Sequence, residues 1–216
     1  MLLADGRLPA GGYAHSGGLE PTVHLQNLKD AADVERFLVG RAATTGLVAA
    51  SFAAAACAAA YERKLATLGE LDIELGARMP SPATRAVSRM LGRQLLRAVA
   101  NIRSHPLLDA LEADFHQPIV YGIAATTFGL DVHDAAQTVL HESVAGPAAA
   151  ATKVVSIDPF AVHAALARLT GLLDELADEA AGQACTLPED LPALGAPLLD
   201  IAAEHHRTWD GRIFAS

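Results

Sequence analysis

The sequence predicts an all-α fold, a single-domain globular bundle of about 8–10 helices. Three observations carry this. Alanine makes up roughly a fifth of the 216 residues, and it is the best helix former because it loses no side-chain entropy on entering a helix. Aromatic residues are only 5% of the chain, whereas strands favour aromatic and β-branched side chains and are depleted in alanine. No alternating polar and apolar run is long enough for a strand, and no internal repeat is visible. Hydrophobic residues at 51% against 19% charged residues also exclude disorder. One domain, residues 1–216, is expected, with length enough to bury a core.

Each element has its own signal. Residues 1–18 are glycine-rich and contain Pro9, so they read as a loop. A short helix runs from Leu19 to about Asn27, with Pro21 tolerated in its first turn. Asp30 or Asp33 caps the next helical stretch, which reaches about Lys64 with Gly46 as its candidate break. Leu65, Leu68, Leu71 and Leu75 recur at helical spacing, so a helix extends to Arg78. Ser81-Pro82 is an N-cap followed by proline at the first helical position, and it opens a helix reaching about Ile102.

Ser104-His105-Pro106 ends that helix, and a shorter element follows to Phe115. Pro118 starts a helix that ends near Gly129. Asp131 caps a long helix through Val155, and Asp158-Pro159 opens another to about Ala181. Leu187 to Pro197 is a proline-bearing connection, Leu198 to Arg207 is the last helix, and residues 208–216 form a flexible tail.

Ala42 to Ala60 carries no charge, but its strongly apolar members are only Leu47, Val48 and Phe52. A membrane span needs about 20 predominantly apolar residues, so a buried core helix is expected and no membrane partner. Met1-Leu2-Leu3-Ala4-Asp5 lacks the basic flank and apolar stretch of a signal peptide. Cys57 and Cys185 belong to no Cys-x-x-Cys unit, so a structural zinc site is not supported. The two cysteines suit a reducing, cytoplasmic setting.

The net charge is −9, which disfavours nucleic acid as a partner. That charge is unevenly placed. Leu75 to Leu108 contains no acid but six arginines, whereas Asp158 to Glu204 contains nine acids and one basic residue, Arg168. Arg85, Arg89, Arg93 and Arg97 stand at i+4 spacing, one winding ridge on a helix. Val87, Leu91, Leu95, Ala98 and Ile102 supply its apolar face. Ser88 and Gly92 are small enough for a second backbone to approach. The ridge is either a solvated face neutralised by the acidic C-terminal half or a docking surface for an acidic partner. Arginine suits the latter because its planar fork binds carboxylates through two bonds.

Enzyme motifs find little support. Gly6 and Gly11 have the glycine spacing of a P-loop, but Gly12 and Tyr13 follow where lysine and a hydroxyl are needed. Ala14-His15-Ser16-Gly17-Gly18 loosely mimics a nucleophile elbow, which requires a sheet that is not predicted here. Of the nine histidines, His205 and His206 are adjacent and cannot readily chelate one ion together, and His141 is followed directly by Glu142. His105, His116 and His133 read as capping or surface histidines. The loop around Tyr13, His15 and Ser16 is the stronger functional candidate, since flexible polar loops carry function more often than helix faces.

Those residues carry a family likeness. Leu3-Ala4-Asp5, then Leu8-Pro9-Ala10-Gly11-Gly12-Tyr13-Ala14-His15-Ser16-Gly17-Gly18-Leu19-Glu20, resembles the N-terminal signature of the UreF urease accessory proteins. The likeness continues at Arg85-Ala86-Val87-Ser88-Arg89, Gly92-Arg93-Gln94-Leu95-Leu96, Pro197-Leu198-Leu199-Asp200, His205 and Arg212-Ile213-Phe214-Ala215-Ser216. Gly6 stands where the family has serine, Ala215 is small for its place, and residues 39–77 carry little of the pattern.

The resemblance implies an all-helical homodimer that is not an enzyme. Such a protein joins UreD (also called UreH) and the GTPase UreG on apo-urease and couples GTP hydrolysis to nickel delivery. It implies no intrinsic cofactor or metal site, the nickel being handled by the assembled complex. It places Tyr13 and Arg212 at the surface that recruits UreG, and has the tail 208–216 become ordered when UreD binds. The partner-binding candidates are Tyr13, His15, Ser16, Glu20, Arg85, Arg89, Arg93, Arg212 and Phe214. Two alternatives are kept: a nickel metallochaperone using its own histidines, and an all-helical hydrolase using Ser16.

Overall fold

A computed structural model describes residues 2–6, 8–111 and 114–215. Among them are ten α-helices and no strand. In chain order these are α1 (Leu19–Gln26), α2 (Ala31–Arg41), α3 (Leu47–Tyr61), α4 (Leu65–Ala77), α5 (Pro82–Ile102), α6 (Pro106–Asp109), α7 (Gln117–Phe128), α8 (Val132–Val154), α9 (Pro159–Gly182) and α10 (Pro197–His206). The caps read from the sequence are in place. Asp30 accepts from Asp33 N, Ser81 from Thr84 N, Asp131 from Asp134 N and Asp158 from Phe160 N.

Helix α3 is the axis of the bundle. Twelve of its fifteen residues are buried, and it packs against α4, α7, α8 and α9. Its alanines permit close contact. A Cβ on Gly122 of α7 would stand 2.3 Å from Ala53 O and 2.7 Å from Cys57 N, so the two backbones touch. Thr126 closes the same seam by donating to Cys57 O at 3.1 Å. Helices α2 and α3 join through a π turn, Ala42–Gly46, rather than a break. There Gly46 lets α8 approach, since a Cβ would lie 3.0 Å from Ser143 Oγ. Residues Ala31–Tyr61 are therefore one helix long and apolar enough to cross a membrane, but 72% of its apolar window is buried in the bundle.

Several expectations change. The element after Pro106 is one turn, ending at Asp109 rather than Phe115. Ile102 is exposed, and Val99 takes the buried place on α5. Asp33 does not cap α2; its carboxylate accepts from Lys29 N instead. His105 caps α6 through Nδ1, whereas His116 stands at the N-cap position of α7 with its side chain buried and making no cap bond.

The small residues on α5 do admit a second backbone. A Cβ on Gly92 would fall 2.2 Å from Phe115 O, and Ser88 Oγ accepts from Gln117 N. This crossing decides how the arginine ridge is neutralised. Arg89 donates to Asp72 Oδ2 at 2.7 Å and to Asp114 O, and Arg93 bonds Asp114 Oδ2 at 2.5 Å. Arg85 donates to Met79 O and Pro80 O. The described partners of these three therefore come from α4, the α4–α5 connection and the segment before α7, not from the acidic C-terminal half. Arg168, the lone base of that half, pairs with Glu35 of α2.

Arg78 ties down the proline-bearing connection. It donates to the carbonyls of Pro188, Glu189, Leu191 and Pro192, pairs with Glu74 and covers the Phe52 ring. At the far end α10 docks on the start of α5. There Glu204 Oε1 accepts from Ala83 N at 2.9 Å and from the Ser81 hydroxyl at 2.5 Å.

Candidate functional site

The N-terminal glycine loop and the C-terminal segment meet on one side of the bundle. The loop lies over α5, α8 and α10. Gly11 sits against Gln94 and Leu91, Gly17 against Pro147 and Arg41, and Gly18 against Leu199. These contacts explain the glycines. Gly17 has φ +59°, and a Cβ there would stand 2.8 Å from Pro147 Cγ, so a side chain meets both backbone strain and a clash.

The C-terminal segment is fastened to this loop. The Glu20 carboxylate, at the start of α1, accepts from Ile213 N at 2.8 Å, Phe214 N at 3.0 Å and His206 Nε2 at 3.0 Å. Ala215 N donates to Ala14 O at 2.8 Å. Phe214 is buried, with Lys153 over its ring. Glu20 is only 2% exposed. Burial alone would raise its pKa, but the two backbone N–H groups and His206 outweigh it and hold the carboxyl below its ordinary range. The segment expected as a flexible tail is therefore tied down at residues 213–215, and Ser216 lies outside the described residues.

Trp209 stands edge-on to both His24 and His206. Glu20, His24 and residues 208–212 line an open groove of about 500 Å³. The sequence does not single out His24 or Trp209, and it weighs His206 only as a metal ligand beside His205. Glu20 and His206 lie 186 positions apart, so no local spacing connects them.

The nine candidate residues thus separate by position. Tyr13 is 78% exposed and Arg212 is exposed. Tyr13 precedes Ala14 and Arg212 lies three residues before Ala215, so the Ala14–Ala215 bond joins the segments that carry them. His15, Ser16, Glu20 and Phe214 are buried, which makes them supports of the surface rather than contacts on it. Burial pushes the His15 imidazole below its ordinary pKa. Ser16 Oγ accepts from Glu20 N at 3.2 Å, acting as a cap for α1 rather than an exposed nucleophile. Arg85 and Arg89 are half-buried and Arg93 is exposed, all three engaged as described above. Among the described residues, no three His, Cys, Asp or Glu side chains converge as a metal site.

The UreF family model matches residues 28–170. Over its whole length the chain is 36% identical to the urease accessory protein UreF of Mycolicibacterium vanbaalenii, covering 97% of that protein. It is 37% identical, with the same coverage, to urease accessory protein UreF of Mycobacterium marinum. To that of Mycobacterium tuberculosis H37Rv it is 32% identical, over 95% of this chain and 92% of the relative.

Proposed function

Because this chain belongs to the UreF family of urease accessory proteins, we propose that it serves urease maturation as a protein scaffold. In this reading it bridges UreD (UreH) and the GTPase UreG on apo-urease and couples GTP hydrolysis to nickel delivery. Nickel is the cargo of the assembled complex, and the scaffold acts in the cytoplasm as a homodimer.

One observation supports this most. Tyr13 and Arg212, an exposed ring and an exposed guanidinium, stand on two chain ends that Glu20 and the Ala14–Ala215 bond hold together. Aromatic and arginine side chains are the types that most often dominate protein interfaces. A surface built from the glycine loop and residues 208–215 and held by a buried carboxylate suits a partner-binding role. The alternatives have less behind them, since Ser16 is buried and bonded to Glu20 N, and among the described residues no three His, Cys, Asp or Glu side chains come together.

The test is co-purification with UreD and UreG of the same organism. The scaffold reading expects capture of both, a dimer by light scattering, and no GTP hydrolysis by the chain alone. Failure to capture either partner would overturn it. Stoichiometric nickel binding by the isolated chain in calorimetry would move the assignment to a metallochaperone.

A further inference from the structure

His116 stands where the segment before α7 crosses α4 and α5. It is 1% exposed, and its Nδ1 has no hydrogen-bond partner. Buried polar atoms are nearly always bonded, so such an orphan asks for an explanation. The Nε2 edge of the ring lies against Gly76 of α4, where a Cβ would stand 3.2 Å away. The backbone N–H of His116 donates to Asp72 Oδ1 at 2.7 Å, while Arg89 holds Oδ2 of the same carboxylate at 2.7 Å.

Four charged groups face the ring: Asp72 from α4, Arg85 and Arg89 from α5, and Asp114 from its own segment. Both acids are already engaged, Asp72 by Arg89 and Asp114 by Arg93. A proton on the ring would set a cation beside Arg89 and leave Nδ1 a buried donor with no acceptor. Burial first, and Arg89 second, accordingly hold the imidazole below its ordinary 6.5, against Asp72 and Asp114.

Side-chain bonds fasten this segment to its neighbours. Arg89 donates to Asp114 O, Arg93 to Asp114 Oδ2 at 2.5 Å, and Gln117 N to Ser88 Oγ at 3.3 Å. A segment held in this way can open without unfolding the helices beneath it.

We propose that His116 is an acid-sensitive latch, whose protonation releases Asp114–Gln117 from α4 and α5 and frees the guanidinium forks of Arg89 and Arg93. Closed, the latch keeps Asp114 on both arginines. Open, it lets the ring reach water, where it binds its proton as an ordinary histidine does. The open form therefore gains on the closed one as pH falls below 6.5, and the freed forks have the chemistry that receives carboxylates.

The test reads amide exchange of the full chain over a grid of pH and urea. After correction for the intrinsic rate, protection at the His116 and Gln117 amides should fall by up to about tenfold per pH unit below 6.5, the effect of one proton. It should depend little on urea, because a local opening exposes little surface. Amides of α3 should keep higher protection with steep urea dependence. His116→Gln should remove the pH dependence at Gln117. Protection at 116–117 that matches α3 in size and urea dependence would overturn the latch, as would a pH dependence unchanged in the variant. If His116→Gln fails to fold, the imidazole titration of the wild-type chain by nuclear magnetic resonance joins the grid. Titration of His116 below 6.5 supports the latch, and titration at or above 6.5 overturns it. No partner takes part, so the latch stands or falls separately from the scaffold reading.

Discussion

Glu20 and His206 meet inside the protein, Oε2 to Nε2 at 3.0 Å, although 186 residues separate them in the chain. The same carboxylate accepts the backbone N–H groups of Ile213 and Phe214. One buried acid therefore joins the start of α1, the end of α10 and the C-terminal segment. Together with the Ala14–Ala215 bond and buried Phe214, Glu20 therefore fixes the segment that presents Arg212.

Glu20→Ala removes the acceptor for two N–H groups and a ring nitrogen. Leaving such groups unpaired costs about 1–3 kcal/mol, which for a chain of this size lowers Tm by roughly 2–4 °C per kcal/mol. Amide exchange should show residues 213–215 losing protection while α3 and α7 keep theirs. Glu20→Gln retains an oxygen acceptor and should fall between the two. Unchanged protection at Phe214 in Glu20→Ala would show that the carboxylate does not hold the segment.

Stability should fall as the solution is acidified, in two stages. Burial first, and Arg89 second, push His116 below its ordinary 6.5, against the opposing Asp72 and Asp114, and burial does the same for His15. A histidine kept neutral in the folded chain binds its proton more readily when unfolded. Its contribution is present above about pH 6.5 and is lost as pH falls below that value, by at most about 1.4 kcal/mol per pH unit for each group. The depressed Glu20 acts below its ordinary 4.5 with the same sign, stabilising above it and failing as pH drops further. Urea midpoints between pH 7.5 and 5.5 should decline, and His116→Gln should flatten that decline. An identical slope in the variant would remove His116 from the account.

Two helix-interior glycines, one buried at a crossing and one exposed, should respond in opposite directions to alanine. Gly92→Ala places a Cβ 2.2 Å from Phe115 O, a backbone atom that cannot rotate away. The 115–117 crossing must shift, and with it the Asp72–Arg89 and Asp114–Arg93 pairs. A loss of about 1–3 kcal/mol or more is expected, the range of overpacked sites. Gly171, inside α9, has nothing within 4 Å of its Cβ position. Gly171→Ala should stabilise by about 0.5–1 kcal/mol through helix propensity. Equal effects at the two sites would mean that the crossing at Gly92 is looser than described.

What the sequence made legible followed from local chemistry. Asp30, Ser81, Asp131 and Asp158 cap helices because a cap needs only its own next turn. Gly92 and Ser88 announced a close crossing because their small size is visible without knowing what crosses. The site was legible only as a stretch of chain. Spacing could not show that His15, Ser16, Glu20 and Phe214 turn inward while Tyr13 turns outward, since a loop has no period to separate its faces. The ridge misled for a related reason. Its charge suggested the acidic C-terminal half, but the described partners are Asp72 and Asp114, which the Phe115–Gln117 crossing brings within reach.

Tyr13 and Arg212 are the residues on which the scaffold reading is most exposed to test. Tyr13 buries little of itself in the isolated chain, being 78% exposed, so Tyr13→Ala should leave Tm nearly unchanged, as surface substitutions usually do within about 0.5 kcal/mol. The same holds for Arg212→Ala, whose side chain stands outside the Glu20 clasp. Interface anchors of these types typically contribute about 2 kcal/mol or more when they are central, which is roughly a thirtyfold loss of affinity. On the scaffold reading both variants should therefore remain folded and fail to retain UreG in a pull-down with UreD present. A large fall in Tm for Tyr13→Ala would make the ring a packing element. Full retention of UreG by both variants would place the recruiting surface elsewhere on the bundle, leaving the clasp as a structural feature alone.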